Sequence, residues 1–367
     1  MDTAALATTA ERETAIHLFT PLEIRGVRLR NRIVVSPMCQ YSSQDGLAND
    51  WHLVHLGTRA VGGAGAVIAE ATAVTPEGRI SPGDLGLWND EQIEPLARIF
   101  GFLESQGSVA GIQLAHAGRK AAVAAPFHGG RPLGIHEGAW TVAAPSPVPF
   151  GDGYQVPHAL SLKDIKGIVA AFGAAARRAR DAGARILEIH AAHGYLLHQF
   201  LSPLANKRED TYGGSFEHRT RLLREVVEAV RRLWPEDLPL FVRVSATDWV
   251  EGGWTVEDSV ALALQLQPLG VDLMDCSSGG IIPKVTVPVG PGYQVPLAER
   301  VRRKSGLLTG AVGLISEPTQ ADQIIRSGQA DLVLLGRELL RNPYWPIEAS
   351  RQLGWTVPPP PQYARAF

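Results

Sequence analysis

The run His190-Ala191-Ala192-His193-Gly194-Tyr195 sets two imidazoles three residues apart and a phenol two residues further on. Imidazoles at that spacing can converge on one substrate oxygen, and the phenol can deliver a proton close by. The same pair is open to two other readings, a metal site or hydrogen-bonded core histidines. A metal site is the poorer fit, because the other candidate residues supply neither a second His pair nor a carboxylate cluster. Gln113 and Arg243 offer an amide and a guanidinium, which suit an uncharged hydrogen-bonding ring that develops negative charge. Gly313 and Gly336-Arg337 could hold a phosphate through loop amides and a cation, or could be tight turns with a surface arginine.

The elements that must position these groups are short apolar runs alternating with longer amphipathic ones. Strands are predicted at 33–37, 66–70, 109–114, 186–190, 240–244, 273–276, 307–309 and 332–335. Each is nearly continuously apolar, as expected of a parallel strand covered on both faces. Helical spacing is clearest over 162–181, 216–233, 256–266 and 318–327, with Ser161, Ser215 and Thr255 placed as N-caps. Eight βα units in one chain of 367 residues predict a single (β/α)₈ TIM barrel, of the α/β class. Every residue singled out above then falls at the C-terminal end of a strand, the face on which such barrels carry chemistry.

Between strand three and the helix at 162 lies a Gly- and Pro-rich stretch, 118–160, expected to cap that face. Residues 1–17 mix Ala and Thr with charges and lack the apolar stretch of a signal peptide, so they are expected to form a loose arm before a single domain at 18–367. The formal net charge is −2, from 35 basic and 37 acidic residues. That balance offers no footprint for nucleic acid or an anionic membrane, and a small molecule is the expected partner. No apolar run approaches the roughly 20 residues of a bilayer span. Two cysteines, Cys39 and Cys276, are too few and too far apart for a disulfide framework, which suits a reducing, cytoplasmic setting.

Taken together, the strand ends resemble the Old Yellow Enzyme family of FMN-dependent ene-reductases, in its thermophilic-like branch, over nearly the whole chain from Leu18. The resemblance is carried by Asn31-Arg32, Ser36-Pro37-Met38-Cys39 with Tyr41, Glu70-Ala71-Thr72, and the run from Gln113 through His116 to Arg119-Lys120. The group at 190–195, Ser202-Pro203 to Asn206, Tyr212-Gly213-Gly214-Ser215 and Gly336-Arg337 extend it.

The resemblance implies FMN as cofactor, with NADPH or else NADH as reductant, since no G-x-G-x-x-G dinucleotide fingerprint follows an early strand. It implies that Ser36, Pro37, Met38 and Cys39 line the flavin, that Ala71, Gln113, His190 and Arg243 contact its ring, and that Ala311, Gly313, Gly336 and Arg337 hold its phosphate end. It further implies hydride transfer from NADPH to flavin N5 and on to the β-carbon of an alkene activated by a carbonyl or nitro group. His190 and His193 would hold the activating oxygen, Tyr195 would protonate the α-carbon, and Cys39 and Tyr41 would touch substrate. Gln40 and Val312 occupy variable positions of that branch, so the mechanism can be carried over while substrate preference cannot.

The end of the chain, 358–367, resembles the tail by which this branch reaches a neighbouring subunit, with Arg365 entering that subunit's site and Phe367 as the terminal aromatic. A homodimer or homotetramer is therefore expected. Larger relatives of the family carry an iron–sulfur cluster, which two cysteines cannot ligate. Two rival functions are a metal-dependent barrel hydrolase built on His190 and His193, and a non-catalytic flavin-binding barrel.

Overall fold

The computed structural model describes residues 16–366. It opens with an antiparallel hairpin, β1 (Leu22–Ile24) and β2 (Val27–Leu29). There follow the barrel strands β3 (Ile33–Val35), β4 (Ala66–Ala73) and β5 (Val109–Ala115). The short β6 (Ala143–Ala144) and β7 (His158–Ala159) pair only with each other. The barrel is completed by β8 (Ile186–Ala191), β9 (Leu240–Ser245), β10 (Leu273–Ser277), β11 (Leu308–Ala311) and β12 (Leu332–Leu335). All eight barrel strands run parallel, and β9–β10 and β12–β3 pairing closes the ring.

Two apolar layers account for the closure. Outward-facing strand residues such as Val35, Val67, Ile112, Leu187 and Val242 share one buried cluster with the helices. Inward-facing residues at the strand starts, including Val34, Ile68, Val109, Ile186, Phe241 and Leu334, pack on Ile24, Val27 and Leu29 of the hairpin. The hairpin thus plugs the N-terminal end with side chains, leaving the C-terminal end for polar groups. The sequence pattern does not reveal this plug, because two three-residue strands carry too short a period to register.

The helices in chain order are α1 (Asp50–Val61), α2 (Ile93–Ser105), α3 (Leu162–Asp181), α4 (Leu196–Leu201), α5 (Phe216–Arg231), α6 (Val256–Leu266), α7 (Val295–Ser305), α8 (Pro318–Arg326), α9 (Arg337–Arg341) and α10 (Trp345–Gln352). Ser161, Ser215 and Thr255 cap α3, α5 and α6, each accepting from a backbone amide of the first turn. Two of these caps are reciprocal, since Asp164 and Asp258 reach back to the capping residue. α5 stops two residues short of the expected 233, with the chain turning into Trp234, whose indole N–H donates to the Pro239 carbonyl.

Part of the 118–160 segment packs against residues that follow the barrel strands. Ala121, Ala122, Val123 and Val142 cluster with Ile80, and Cys39, Tyr41, Trp140, Tyr154 and Tyr195 pack against them. Arg119, itself buried, donates within the segment to the Val148 carbonyl at 3.1 Å and ties it to the barrel by donating to the Ile281 carbonyl, in the loop after β10, at 2.6 Å. Of the expected N-terminal arm, residues 1–15 lie outside the described residues, whereas His17 is buried and stacks on Trp355 at 3.6 Å. Phe367 also lies outside them.

Candidate functional site

At the end of β8 the chain must leave the barrel and enter α4 within a few residues, and that turn carries the two imidazoles and the phenol. His193 takes a left-handed backbone (φ 58°) and so does Gly194 (φ 75°), where a Cβ would collide with the Gly280 carbonyl. Three contacts hold this turn. The His193 amide donates to Ser245 Oγ at 2.8 Å, the Gly194 amide donates to His198 Nδ1 at 2.8 Å, and Lys120 Nζ donates to the His193 carbonyl at 2.8 Å. The turn brings the three rings together: His190 lies 5.1 Å from His193 and 5.1 Å from Tyr195 by ring centroid, each edge to face.

The environment sets their protonation. Burial, followed by the nearby Arg243 charge, holds both imidazoles well below the ordinary histidine range, so they are neutral near pH 7. His193 Nε2 sits 2.7 Å from Ser277 Oγ, while the buried Nδ1 of His190 has no protein partner among the described residues. Burial, reinforced by Cys39 and Tyr41, pushes Tyr195 well above the usual phenol range, so it keeps its proton. Beneath it, Lys120 Nζ lies 5.1 Å from the ring centroid; burial and then Arg119 bring this ammonium down to about 8.

Gln113 and Arg243 lie within the mouth, both buried, but neither stands alone. Gln113 Nε2 donates to Glu188 Oε1 at 2.8 Å. Arg243 Nε lies 2.9 Å from Asp275 Oδ2, off the line of a good hydrogen bond. Strand register explains the grouping, because His190 pairs with Arg243 and Arg243 with Asp275 across neighbouring strands. Burial, followed by Asp275, raises Glu188 to about 8, and burial raises Asp275 to about 6 despite Arg243. Glu188 and Asp275 were not singled out from the sequence. The available signal was a carboxylate inside each of two mainly apolar strands, a pattern tolerated only where the charge meets a partner.

The other expected residues also gather at this end. The Ser36 amide donates to the Leu335 carbonyl, and Gly336 lies close enough to Met38 that an added Cβ would stand 3.6 Å from its sulfur. Pro37 follows Ser36 out of β3, and Ala71 pairs with Gln113 just past a bulge in β4. Cys39 is half-buried and Tyr41 adopts a left-handed backbone (φ 53°), packed in the same cluster as Tyr195. Burial and then Glu70 push the Cys39 thiol well up, so it is protonated. Ala311 is buried at the end of β11, and Gly313, Gly336 and Arg337 line a cavity of about 420 Å³ with Ser277, Gln294 and Arg341. Arg337 is exposed there and makes no hydrogen bond or ion pair among the described residues. Gln294, whose side chain donates to the Val312 carbonyl at 2.9 Å, carried no sequence signal.

Arg365 is the exception. It is exposed, beyond a short turn (Pro361–Tyr363) in which Tyr363 packs 6.1 Å from Tyr344, and the structure does not bring it to His190, His193 or Tyr195.

Residues 17–354 match the model of the NADH:flavin oxidoreductase / NADH oxidase family. An NADPH dehydrogenase of Geobacillus sp. (strain WCH70) is 49% identical over 352 residues, 95% of this chain and 98% of the relative. One from Listeria monocytogenes serotype 4a (strain HCC23) is also 49% identical, over 95% of this chain and 99% of its own. Among solved structures, morphinone reductase superposes with TM-score 0.77 at 27% identity, covering 95% of this chain and 93% of that one. A 2-naphthoyl-CoA reductase complex gives TM-score 0.81 at 24% identity, over 92% of this chain but 52% of that one, a likeness of fold. The buried rings at the β8 turn, the polar layer beneath them and the match across 17–354 lead to one conclusion: the chain belongs to the NADH:flavin oxidoreductase / NADH oxidase family and is an FMN-dependent oxidoreductase.

Proposed function

We propose that this enzyme uses NADPH, or NADH, to reduce the C=C bond of alkenes activated by a carbonyl or nitro group. The observation that carries the reading is the convergence of His190, His193 and Tyr195, two neutral imidazoles and a protonated phenol, at the barrel mouth above Gln113 and Arg243. The residues present fit FMN. Among the described residues the Arg337 guanidinium that lines the cavity is unpaired and His190 Nδ1 lacks a polar partner, and at Gly313 (φ 123°) an added Cβ would meet Gln294.

Arg337, with Gly313, Gly336 and Ala311, would hold the phosphate end. Ser36, Pro37, Met38, Cys39, Ala71, Gln113, His190 and Arg243 would surround the ring. When bound, FMN would supply the hydride chemistry between reductant and alkene. His190 and His193 donate hydrogen bonds to the activating oxygen and offset the charge that grows on it during reduction. Their neutrality matters, since each keeps one N–H to donate without placing a fixed charge beside Arg243. Tyr195 delivers the proton to the α-carbon, and Arg243 would offset negative charge on the cofactor's ring. Cys39 and Tyr41 form the wall of the substrate space, under the 118–160 segment acting as a cap.

We further propose a cytoplasmic enzyme, in keeping with two free cysteines. It would assemble as a homodimer or homotetramer in which the exposed Arg365 completes a neighbour's pocket. No helix among the described residues is long and apolar enough to cross a membrane.

The test is anaerobic. The purified protein should show a flavin absorbance band that NADPH bleaches and that 2-cyclohexenone restores. Replacing His190 and His193 together by Ala should abolish restoration by the enone while flavin remains bound. Undiminished enone turnover in that variant would sink the assignment.

A further inference from the structure

Behind the β8 turn lies a second histidine–carboxylate pair that the reading above does not use. His198, the third residue of α4, and Asp248, just beyond β9, are both fully buried. His198 Nε2 stands 2.9 Å from Asp248 Oδ1, close but off the line of a good hydrogen bond, and the other carboxylate oxygen accepts from Ser202 Oγ at 2.6 Å and from the Trp254 amide at 2.7 Å. On its far side the ring accepts the Gly194 amide at Nδ1, at 2.8 Å. Gly194 sits between His193 and Tyr195 in sequence, so this ring touches the backbone that aims both.

The hydrogen bonds settle the tautomer. Because Nδ1 accepts an N–H it carries no proton, so a ring of this geometry is neutral and protonated at Nε2, the nitrogen that faces Asp248. Asp248 is then the anion that faces this N–H while accepting from two other donors. Burial would push its carboxyl up, and the hydrogen bonds from Ser202 and the Trp254 amide act against that rise. A buried polar group of this kind adds little stability over an apolar replacement, and its use is to select one arrangement. The arrangement at stake is a left-handed two-residue turn that could otherwise relax.

We propose that His198 and Asp248 are positioning residues, a buried pair that holds the Gly194 amide and thereby places His193 and Tyr195 against the substrate. The inference rests on the reading of His193 and Tyr195 as the oxygen-holding and proton-donating groups. Exchange of Asp248 for Asn puts the pair in conflict with itself. If the new NH₂ faces His198, the ring proton must move to Nδ1, where it opposes the Gly194 amide. If it faces the other way, it opposes the Trp254 amide, which can only donate.

The experiment uses the flavin-loaded enzyme and compares the unaltered protein, Asp248→Asn, and the His190→Ala/His193→Ala double variant. Nitrogen-15 spectra of histidine-labelled unaltered protein should show His198 neutral with the proton on Nε2, and in Asp248→Asn that signature should change. Turnover of 2-cyclohexenone should fall about 10–100-fold in Asp248→Asn, the size usual for losing the group that orients a functional histidine. Reoxidation of the reduced flavin by O₂, which needs neither the oxygen-holding pair nor Tyr195, should stay within about twofold of the unaltered rate. A His198 protonated at Nδ1 in the unaltered protein overturns the inference, and so does an altered signature with unchanged enone turnover. An equal loss of enone and O₂ rates also overturns it, because that is the mark of a general disturbance. Retained enone turnover in the double variant strikes the underlying reading of the site, and the inference with it. If Asp248→Asn does not fold, the spectrum of the unaltered protein and a Ser202→Ala variant, which removes one donor to Asp248 and should slow the enone severalfold with O₂ unaffected, still decide it.

Discussion

At the scale of single residues, protonation is the central property of this site. Tyr195 is useful as a donor only while it holds its proton, and burial among Cys39, Tyr41 and other acidic hydrogens raises it well above the range where it would lose one. Tyr195→Phe keeps the ring and removes the proton. Single-turnover reoxidation by an enone should then slow by about 10²–10⁴-fold, with flavin affinity unchanged. The imidazoles and the phenol were legible in the sequence because they lie within six residues of one another. The counterparts of Gln113 and Arg243 were not, since Glu188 and Asp275 meet them only across strand pairs.

At the scale of elements, the chain uses local signals to stop and start helices at the places the site requires. Thr255 opens α6, accepting from the Asp258 amide while the Asp258 carboxylate answers it. Asp248 and Trp254 lie immediately before this helix, in the loop that leads from β9. Thr255→Ala should cost about 1 kcal/mol of stability, read as a lower denaturant midpoint with unchanged slope. Strands and long helices could be read from periodicity, and three caps from single residues. α4 could not, because its six residues are all buried and show no amphipathic face to count. Its start at Tyr195 is set by the strained turn ahead of it.

The pH dependence of stability belongs to the whole molecule, since it sums groups far apart. His55 is held down to about 3 and His116 to about 4, mainly by burial, and His190 and His193 are also lowered. Below about pH 6.5 the unfolded chain protonates these rings and the folded one does not, so their contribution is lost as pH falls. Asp84, raised to about 7, and Glu188, raised to about 8, act in the other direction. Their folded forms keep protons that the unfolded chain has released, so their contribution fades as pH rises through those values. Urea midpoints measured from pH 5 to 9 should therefore peak at about pH 6–7, and a monotonic rise across that range would contradict these assignments. Assembly is the other property of the whole. Removing the residues after Pro361 should lower enone turnover and shift the oligomer in light scattering, while flavin stays bound, if Arg365 serves a neighbouring copy. An unchanged enzyme would end that proposal.

The sequence by itself determined the number and order of the βα units, since each strand declares itself by an apolar run covered on both faces and each long helix by its spacing and cap. It also determined which chemical groups stand at the strand ends, because chain order alone puts His190, His193 and Tyr195 after strand four and Arg337 after strand eight. The tertiary structure decided how those groups are charged and aimed. Closing the barrel removes them from water, which turns two histidines neutral and keeps a phenol protonated. It also sets Glu188 under Gln113, Asp275 beside Arg243, and the His198–Asp248 pair behind the turn. Such pairings join residues tens of positions apart, and no local pattern records them; they follow from strand register and from the need of a buried polar atom for a partner.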